Sequence, residues 1–311
     1  TPRQVGLTWP AFAAARARWA GLVDLQGVSL VALSFFRDGA AAAALADTVA
    51  AHGGCLGAAV CCAEDGGDEG DDWTTCPRDR HALLDRIFGL AAERSLDVDF
   101  HTDENGNVGA TGLADVCAAL VRARSADPPF AGRVVCGHCC ALASYPPAKL
   151  AATLASARAA GVTVVSLPLV NQWTQDRDRG AARTPRWRGI TTLRELEAAG
   201  VPVALASDNV RDQFYNYGDY DLLEVLREGV RAGHLDCPYG GWAGSVTAVP
   251  ARAMGLGGSH GQLRVGGRAD LIAFKARSYS GLLSRPQADR VRRGGEGGGG
   301  GRGRWRRAAA V

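Results

Sequence analysis

No uninterrupted apolar stretch reaches about eighteen residues in this sequence, so none of its helices is expected to span a membrane. No signal peptide can be read, and Thr1 is not a natural start, so the expectation is a chain that begins partway into a larger protein. No G-x-G-x-x-G follows the first strand-like runs, which weakens a dinucleotide-binding reading. Neither H-x-E nor P-C-x-x-C occurs, so the zinc chemistry of base-flipping deaminases has no motif to rest on. Basic charge is also scarce where it would matter. The net charge is +3, yet from Arg285 onward eight Arg face only Asp289 and Glu296, an excess of six that leaves the first 284 residues at −3. A body of that sign offers no basic face for a specific nucleic-acid partner.

Nine cysteines are present, at 55, 61, 62, 76, 117, 136, 139, 140 and 237. Their odd total and two adjacent pairs fit a disulfide framework poorly. Most sit in apolar runs such as Ala58-Ala59-Val60-Cys61-Cys62, where Cys behaves as a small hydrophobe. A reducing, cytoplasmic compartment follows as the expectation. Assembly as a homo-oligomer is left open.

With 47% hydrophobic residues over 311 positions, a sizeable core is assured. Apolar runs at Val28–Phe36, Cys55–Cys62, Leu96–His101, Arg133–His138, Val162–Leu167 and Val201–Ser207 read as strands. Several are apolar throughout, as parallel strands covered on both faces are. Helical patterns lie between them at Gly39–Ala51, Arg78–Arg94, Leu113–Arg124, Pro147–Ala160 and Leu193–Ala199, with another at Asp221–Ala232. Six strand–helix units in a row predict a parallel α/β sheet with right-handed crossovers. The acidic, Gly-rich run Cys61–Trp73 reads as a solvated loop, and the Gly/Arg tail 292–311 as disordered.

The ionisable residues choose between a doubly wound sheet and a barrel. His101, His138 and Asp208 each fall at the C-terminal end of a strand run, which is where a (β/α)8 barrel builds its active site. A neutral imidazole there can ligate a divalent metal. Glu104, three residues past His101, is placed to move protons between a water and a substrate. Each signal alone is weak: a rim histidine is more often merely hydrogen-bonded, and an acid after a strand is as often a helix N-cap. Cys136 and Cys139 form a C-x-x-C, but no partner pair lies at zinc-site spacing. Three such strand ends in a chain with only six His carry the reading.

His101-Thr102-Asp103-Glu104, Gly137-His138, Pro168-Leu169-Val170-Asn171, Arg188-Gly189-Ile190-Thr191 and Ser207-Asp208-Asn209-Val210 stand in the order found in cytosine deaminases. Over about Leu22 to Val291 the chain resembles that branch of the metal-dependent amidohydrolases. The resemblance implies a TIM-type (β/α)8 barrel, here without its first two strand–helix units. The partial barrel would cover residues 1–262, and 263–291 would return toward a remnant of a small β-sandwich. It also implies one divalent metal ion, iron or zinc, held by His101 and Asp208. Asp208 would accept a proton from the activated water, Glu104 would pass one to the ring nitrogen, and His138 would stabilise the tetrahedral intermediate. Asn171, Asn209 and Phe214 would line the mouth and bind a small heterocyclic substrate.

Three departures qualify this. The family's H-x-H, which supplies further metal ligands, occurs nowhere in the sequence, so weak metal binding is expected of residues 1–311. Its substrate-binding Gln aligns with Ala32, and its second acid with Asn209. The expected function is hydrolytic deamination of cytosine or a related N-heterocycle. The alternatives are an amidohydrolase acting on another cyclic amide or amidine, and a truncated barrel without catalysis.

Overall fold

The computed structural model describes residues 2–62, 76–178, 180, 182–236, 241–285, 290–293 and 305–307. The acidic run Glu64–Asp72, Cys237 and most of the Gly/Arg tail lie outside the described residues. The chain divides into two compact units, Thr1–Ser166 with Asn171–Val203, and Leu167–Val170 with Ala204–Val311.

Strands and helices alternate as α1 (Pro2–Arg18), β1 (Val28–Ala32), α2 (Gly39–Ala51), β2 (Cys55–Val60), α3 (Arg80–Glu93), β3 (Val98–Thr102), α4 (Gly112–Arg124), β4 (Val134–His138), α5 (Pro147–Ala160) and β5 (Thr163–Ser166). There follow α6 (Pro168–Thr174), α7 (Leu193–Ala198) and β6 (Val203–Leu205). The six strands stand in one sheet in chain order, and every pair from β1 to β5 is parallel. Each crossover contains a helix or helical turns, as parallel neighbours require.

β2 is buried along its whole length, as its unbroken apolar run predicts. β3 shows the two faces apart: Val98, Phe100 and Thr102 are buried, while Asp99 and His101 on the other face are half-buried. On the first face the Phe88 ring of α3 meets Phe100 and Phe130 edge-on, at 5.9 and 5.1 Å between centroids. Burying each such ring contributes roughly 1.5–3 kcal/mol. On the second face the register sets His101 between Ala59 and Gly137, two small residues that leave room for its imidazole.

Helix ends follow local chemistry. Asp38 caps α2 by accepting from the Ala40 and Ala41 N–H groups at 3.0 Å each. α5 stops at Gly161, whose φ of +66° is the left-handed conformation of a helix C-cap. Several elements differ from the sequence expectation. α6 and the later stretches Ala248–Ala253 and Tyr279–Leu283 were not read as helices, and two further differences lie near the N-terminus. The strand read over Val28–Phe36 ends at Ala32, and Leu33–Arg37 turn as a 3-10 helix because that coil buries both Leu33 and Phe36. α1 was not anticipated; its Trp9 is buried against Gly27 and Gly54, where a Cβ would collide with the indole. Cys62 and Cys76 form a disulfide, although the cysteine pattern fits a disulfide framework poorly.

In the second unit α8 (Leu222–Gly233) begins at Asp221, whose carboxylate accepts from the Leu223 N–H at 3.0 Å and pairs with Arg290 at 2.8 and 2.5 Å. After α9 (Ala248–Ala253) come β7 (Leu271–Phe274), α10 (Tyr279–Leu283), β8 (Arg290–Arg293) and β9 (Trp305–Arg307). The three strands form an antiparallel sheet in the order β7-β8-β9. This corrects the reading of 292–311 as wholly disordered, since Arg292, Arg293 and Trp305–Arg307 are paired through their backbones. Among the described residues no helix is long and apolar enough to cross a membrane.

Candidate active site

Three residues picked out by their strand-end positions come together in the first unit. His101 lies one residue before the end of β3, Glu104 two residues past it, and His138 closes β4. One nitrogen or oxygen from each lies within 4.8 Å of the others. His138 Nε2 stands 3.2 Å from His101 Nδ1 and 3.6 Å from Glu104 Oε2. Asn171, in α6, turns its amide nitrogen toward His138 Nδ1 at 2.9 Å and Glu104 Oε1 at 3.4 Å.

This network assigns the protons. The carboxylate oxygen can only accept, so the Asn171 amide donates to it, and by the same orientation donates to His138 Nδ1. The His138 proton is then on Nε2 and points at His101 Nδ1. Because the Asn171 amide nitrogen is engaged twice, only its oxygen remains to serve the substrate-binding role expected of it.

Electrostatics agree with that pattern. Burial pushes the His101 imidazole down to about 4. Burial, and then the neighbouring His101, hold His138 well below its ordinary value. Both rings are therefore neutral near pH 7, the form in which imidazole ligates a metal. His138 is 2% exposed and Asn171 1%, whereas the Glu104 carboxyl keeps 28% exposure and opens to incoming solutes. The neutral His101 imidazole and the Glu104 carboxylate are donors that suit a divalent cation, whereas His138, with Nδ1 engaged by Asn171 and its proton on Nε2, is left to donate beside them.

Asp103, quoted in the H-x-D-E run without a role, proves structural. Its two oxygens accept from Gly112 and Leu113 at 3.1 and 2.9 Å, tying the loop after β3 to the N-terminus of α4. Burial pushes its carboxyl up to about 7 against the pull of those N–H groups. Left-handed backbone recurs at these strand ends, with φ of +47° at Asp103, +66° at His138, +50° at Cys139 and +64° at Asp208. Non-glycine residues hold that conformation at a cost of about 1–3 kcal/mol each, and such strain concentrates at functional sites.

The second unit holds the other expected residues. Asp208 follows β6, and burial pushes its carboxyl up to about 6. Asn209 donates from Nδ2 to Asp212 at 2.6 Å, and Asp212 in turn accepts from the Phe214 and Tyr215 N–H groups at 2.9 and 3.0 Å. Phe214 is 56% exposed. Ala32, the position aligned with a substrate-binding Gln, ends β1 in the first unit and is half-buried.

Sequence reasoning missed Gln175, whose Nε2 lies 3.3 Å from the Glu104 carbonyl oxygen and 3.5 Å from its carboxylate. Its spacing of four from Asn171, one helical turn, is the signal that was available. The Cys136/Cys139 pair is no metal site: both thiols are buried, and burial raises each well above its ordinary value. A G-x-S-x-G string does occur at Gly257–Gly261. It lies in turns, with Ser259 Oγ on the adjacent His260 Nδ1 at 2.7 Å, and so lacks the strand-to-helix setting of a nucleophile elbow.

The profile of the amidohydrolase family matches residues 15–295. Over 285 residues the chain is 42% identical to a pterin deaminase of Rhizobium rhizogenes, covering 92% of this chain and 60% of the relative. It is 25% identical over 214 residues to an N-isopropylammelide isopropyl amidohydrolase of a Pseudomonas species, covering 67% and 47%. The crystal structure of a Klebsiella pneumoniae 5-methylcytosine deaminase liganded with 5-fluorocytosine superposes with a TM-score of 0.72 at 24% identity, over 91% of this chain and 65% of that one. The chain thus spans less than two thirds of the length of these relatives. The structural likeness establishes the fold as part of a (β/α)8 TIM-type barrel.

Proposed function

The chain belongs to the amidohydrolase family, and on that premise we propose that it hydrolyses an exocyclic C–N bond of an amino-substituted N-heterocycle, so that water adds and ammonia leaves. The observation that carries this reading is the convergence of His101, Glu104 and His138 at adjacent strand ends. Identity of 42% to a pterin deaminase favours a pterin, whose fused ring system contains an aminopyrimidine, over free cytosine. The change to Asn209 supports the same shift, because an amide offers a different hydrogen-bond pattern from a carboxylate.

His101 would hold the metal, one divalent ion, either iron or zinc, with its neutral imidazole. The ligand and proton-acceptor role implied for Asp208 stands as part of the proposal. When bound, the ion supplies a Lewis acid that makes water a nucleophile near neutral pH. Glu104, half-exposed at the mouth, carries a proton to the ring nitrogen beside the amino-bearing carbon. The His138 Nε2–H is oriented by Asn171 and donates to the oxygen that develops negative charge there. In the second unit, Asn209 and Phe214 are assigned to ring recognition, through an amide oxygen and an apolar wall. Six of the described cysteines form no disulfide, in keeping with a reducing, cytoplasmic setting, with Cys62–Cys76 the exception.

The test is amine release by protein supplied with zinc or iron, ammonia from pterin or cytosine and the alkylamine from an N-alkylated aminotriazine, alongside metal analysis. We expect weak metal retention, in keeping with the absent H-x-H, and turnover fastest on pterin when the ion is in excess. Fastest turnover on the triazine would favour the second reading, an amidohydrolase acting on another cyclic amidine. Neither ammonia nor alkylamine from any of the three would overturn the proposal.

A further inference from the structure

The stretch from α6 to α7 contains the Arg188-Gly189-Ile190-Thr191 run, for which the reaction as described has no use. Its geometry converges on Glu104. Gln175 directly follows α6, its N–H donating to the Asn171 carbonyl at 3.0 Å, so it lies one turn from Asn171 and both amide side chains share one face. From there Gln175 Nε2 reaches the Glu104 carbonyl oxygen at 3.3 Å and Oε1 at 3.5 Å. The two amides thus contact the same carboxylate oxygen from successive turns.

Gln175 is itself held. Gly189 is buried with φ +68°, and a Cβ at that position would run into the Gln175 side chain and come 3.2 Å from the Asn171 carbonyl oxygen. No other residue type could lie so close over the turn that presents both amides. The next residue after Gln175 fixes the loop. Asp176 pairs with Arg183 at 2.6 and 3.0 Å and accepts from the Arg186 and Trp187 N–H groups at 2.5 and 3.2 Å. That turn lays the Trp187 indole on Gly106, two residues beyond Glu104, where an added Cβ would be 3.3 Å from the ring. At its far end the run is anchored by Thr191, whose hydroxyl donates to the Cys139 carbonyl at 2.7 Å, beside His138.

We propose that Gln175 is a positioning residue for Glu104, and that Gly189 exists in this run to keep Gln175 against it. This rests on the proposed role of Glu104 as the proton carrier. A carboxylate that must swing between a water and a ring nitrogen needs a fixed backbone and a limited set of rotamers. Gln175 restrains both, because it contacts the carbonyl and the carboxylate of the same residue. Phrased as function, the Arg-Gly-Ile-Thr run serves proton transfer without touching the substrate.

The experiment uses Gln175→Met, which keeps the side chain's length and removes its donors, with Gly189→Ala and the double variant. With the donors to the Glu104 carbonyl and carboxylate removed, kcat on the best substrate should fall roughly tenfold in Gln175→Met. KM should stay within about twofold and metal content should not change, because neither ligand nor recognition groups are altered. The double variant should be no slower than the slower single variant, since both act on one contact. A purely structural role would instead give additive losses with a rising KM. Crystal structures of the metal-free Gln175→Met protein should show Glu104 in more than one rotamer. If Gly189→Ala does not fold, Gln175→Met still decides. An inactive wild type would count against the proposed function, leaving the Glu104 rotamers to judge the clamp. A Glu104 side chain unmoved in Gln175→Met, or an unchanged kcat in an active enzyme, overturns it.

Discussion

The strand ends of the first unit and the loop after β6 in the second are both rich in polar groups, but they use them differently. Around His101, Glu104 and His138 the side chains bond one another, and burial keeps the two imidazoles neutral. In the loop after Asp208 the polar groups bond the loop itself. Asp212 gathers Asn209 and two backbone N–H groups, and Phe214, Tyr217 and Tyr220 are left exposed at 56%, 56% and 73%. The first arrangement suits the proton handling and metal ligation proposed for it. The second is a braced display of flat rings suited to recognition.

The comparison breaks most readily at Glu104. Glu104→Gln should lower kcat by about a thousandfold, within the range for losing a general acid–base, while metal content and thermal stability stay near wild type. A drop in bound metal of the same size would make Glu104 a ligand instead. His101→Ala should instead leave the protein with less than about a tenth of its metal, since a first ligand is lost. Asn209→Asp addresses the recognition side. It should change the ratio of turnover on pterin and cytosine by roughly tenfold through altered ring contacts, with metal content unchanged. Unaltered ratios would remove Asn209 from recognition.

A pH series on the metal-free protein sharpens the contrast. The His101 pKa falls from the ordinary 6.5 to about 4 on folding, so between those values the unfolded chain binds a proton that the folded one refuses. The His101 contribution to stability should therefore be complete above pH 6.5 and be lost as the pH drops toward 4. Asp103 and Asp208, raised to about 7 and about 6 by burial, contribute with the opposite sign, so the difference between wild type and variant isolates the imidazole. The slope should approach at most about 1.4 kcal/mol per unit for each buried imidazole. His101→Asn should flatten it. The smallest effect is expected at Asp221. Burial alone would raise its carboxyl, but Arg290 and the Leu223 N–H hold it below the usual range. Asp221→Asn should cost about 1 kcal/mol, the typical worth of such a cap and a partly buried pair, with no change in metal content.

Much of this molecule was legible from residue pattern alone. The six strand runs match β1 to β6, because a parallel strand covered on both faces must be apolar along its length. The helix read at Pro147–Ala160 matches α5 at both ends, since a Pro start and a Gly stop are local signals. The 3-10 turn after β1 was hidden because an apolar run is compatible with strand or coil, and only packing of Leu33 and Phe36 selects the coil. α1 was hidden because its one buried anchor, Trp9, meets glycines eighteen and forty-five positions away in the chain. The Cys62–Cys76 bridge was hidden because thiol pairing depends on where the intervening loop returns.

The candidate site divides along the same line. The sequence by itself determined that His101, Glu104 and His138 sit at strand ends, since residue type and strand periodicity are local properties. Only the tertiary structure decided that these three meet, that Asn171 spends its amide nitrogen on two of them, and that Gln175 stands behind Glu104. The reason is physical. Parallel pairing of β3 with β4 brings His101 and His138 together from thirty-seven residues apart, and a glycine free to adopt φ of +68° lets the α6 turn lie close. Strand register and close backbone approach are three-dimensional quantities that no spacing in a single chain encodes.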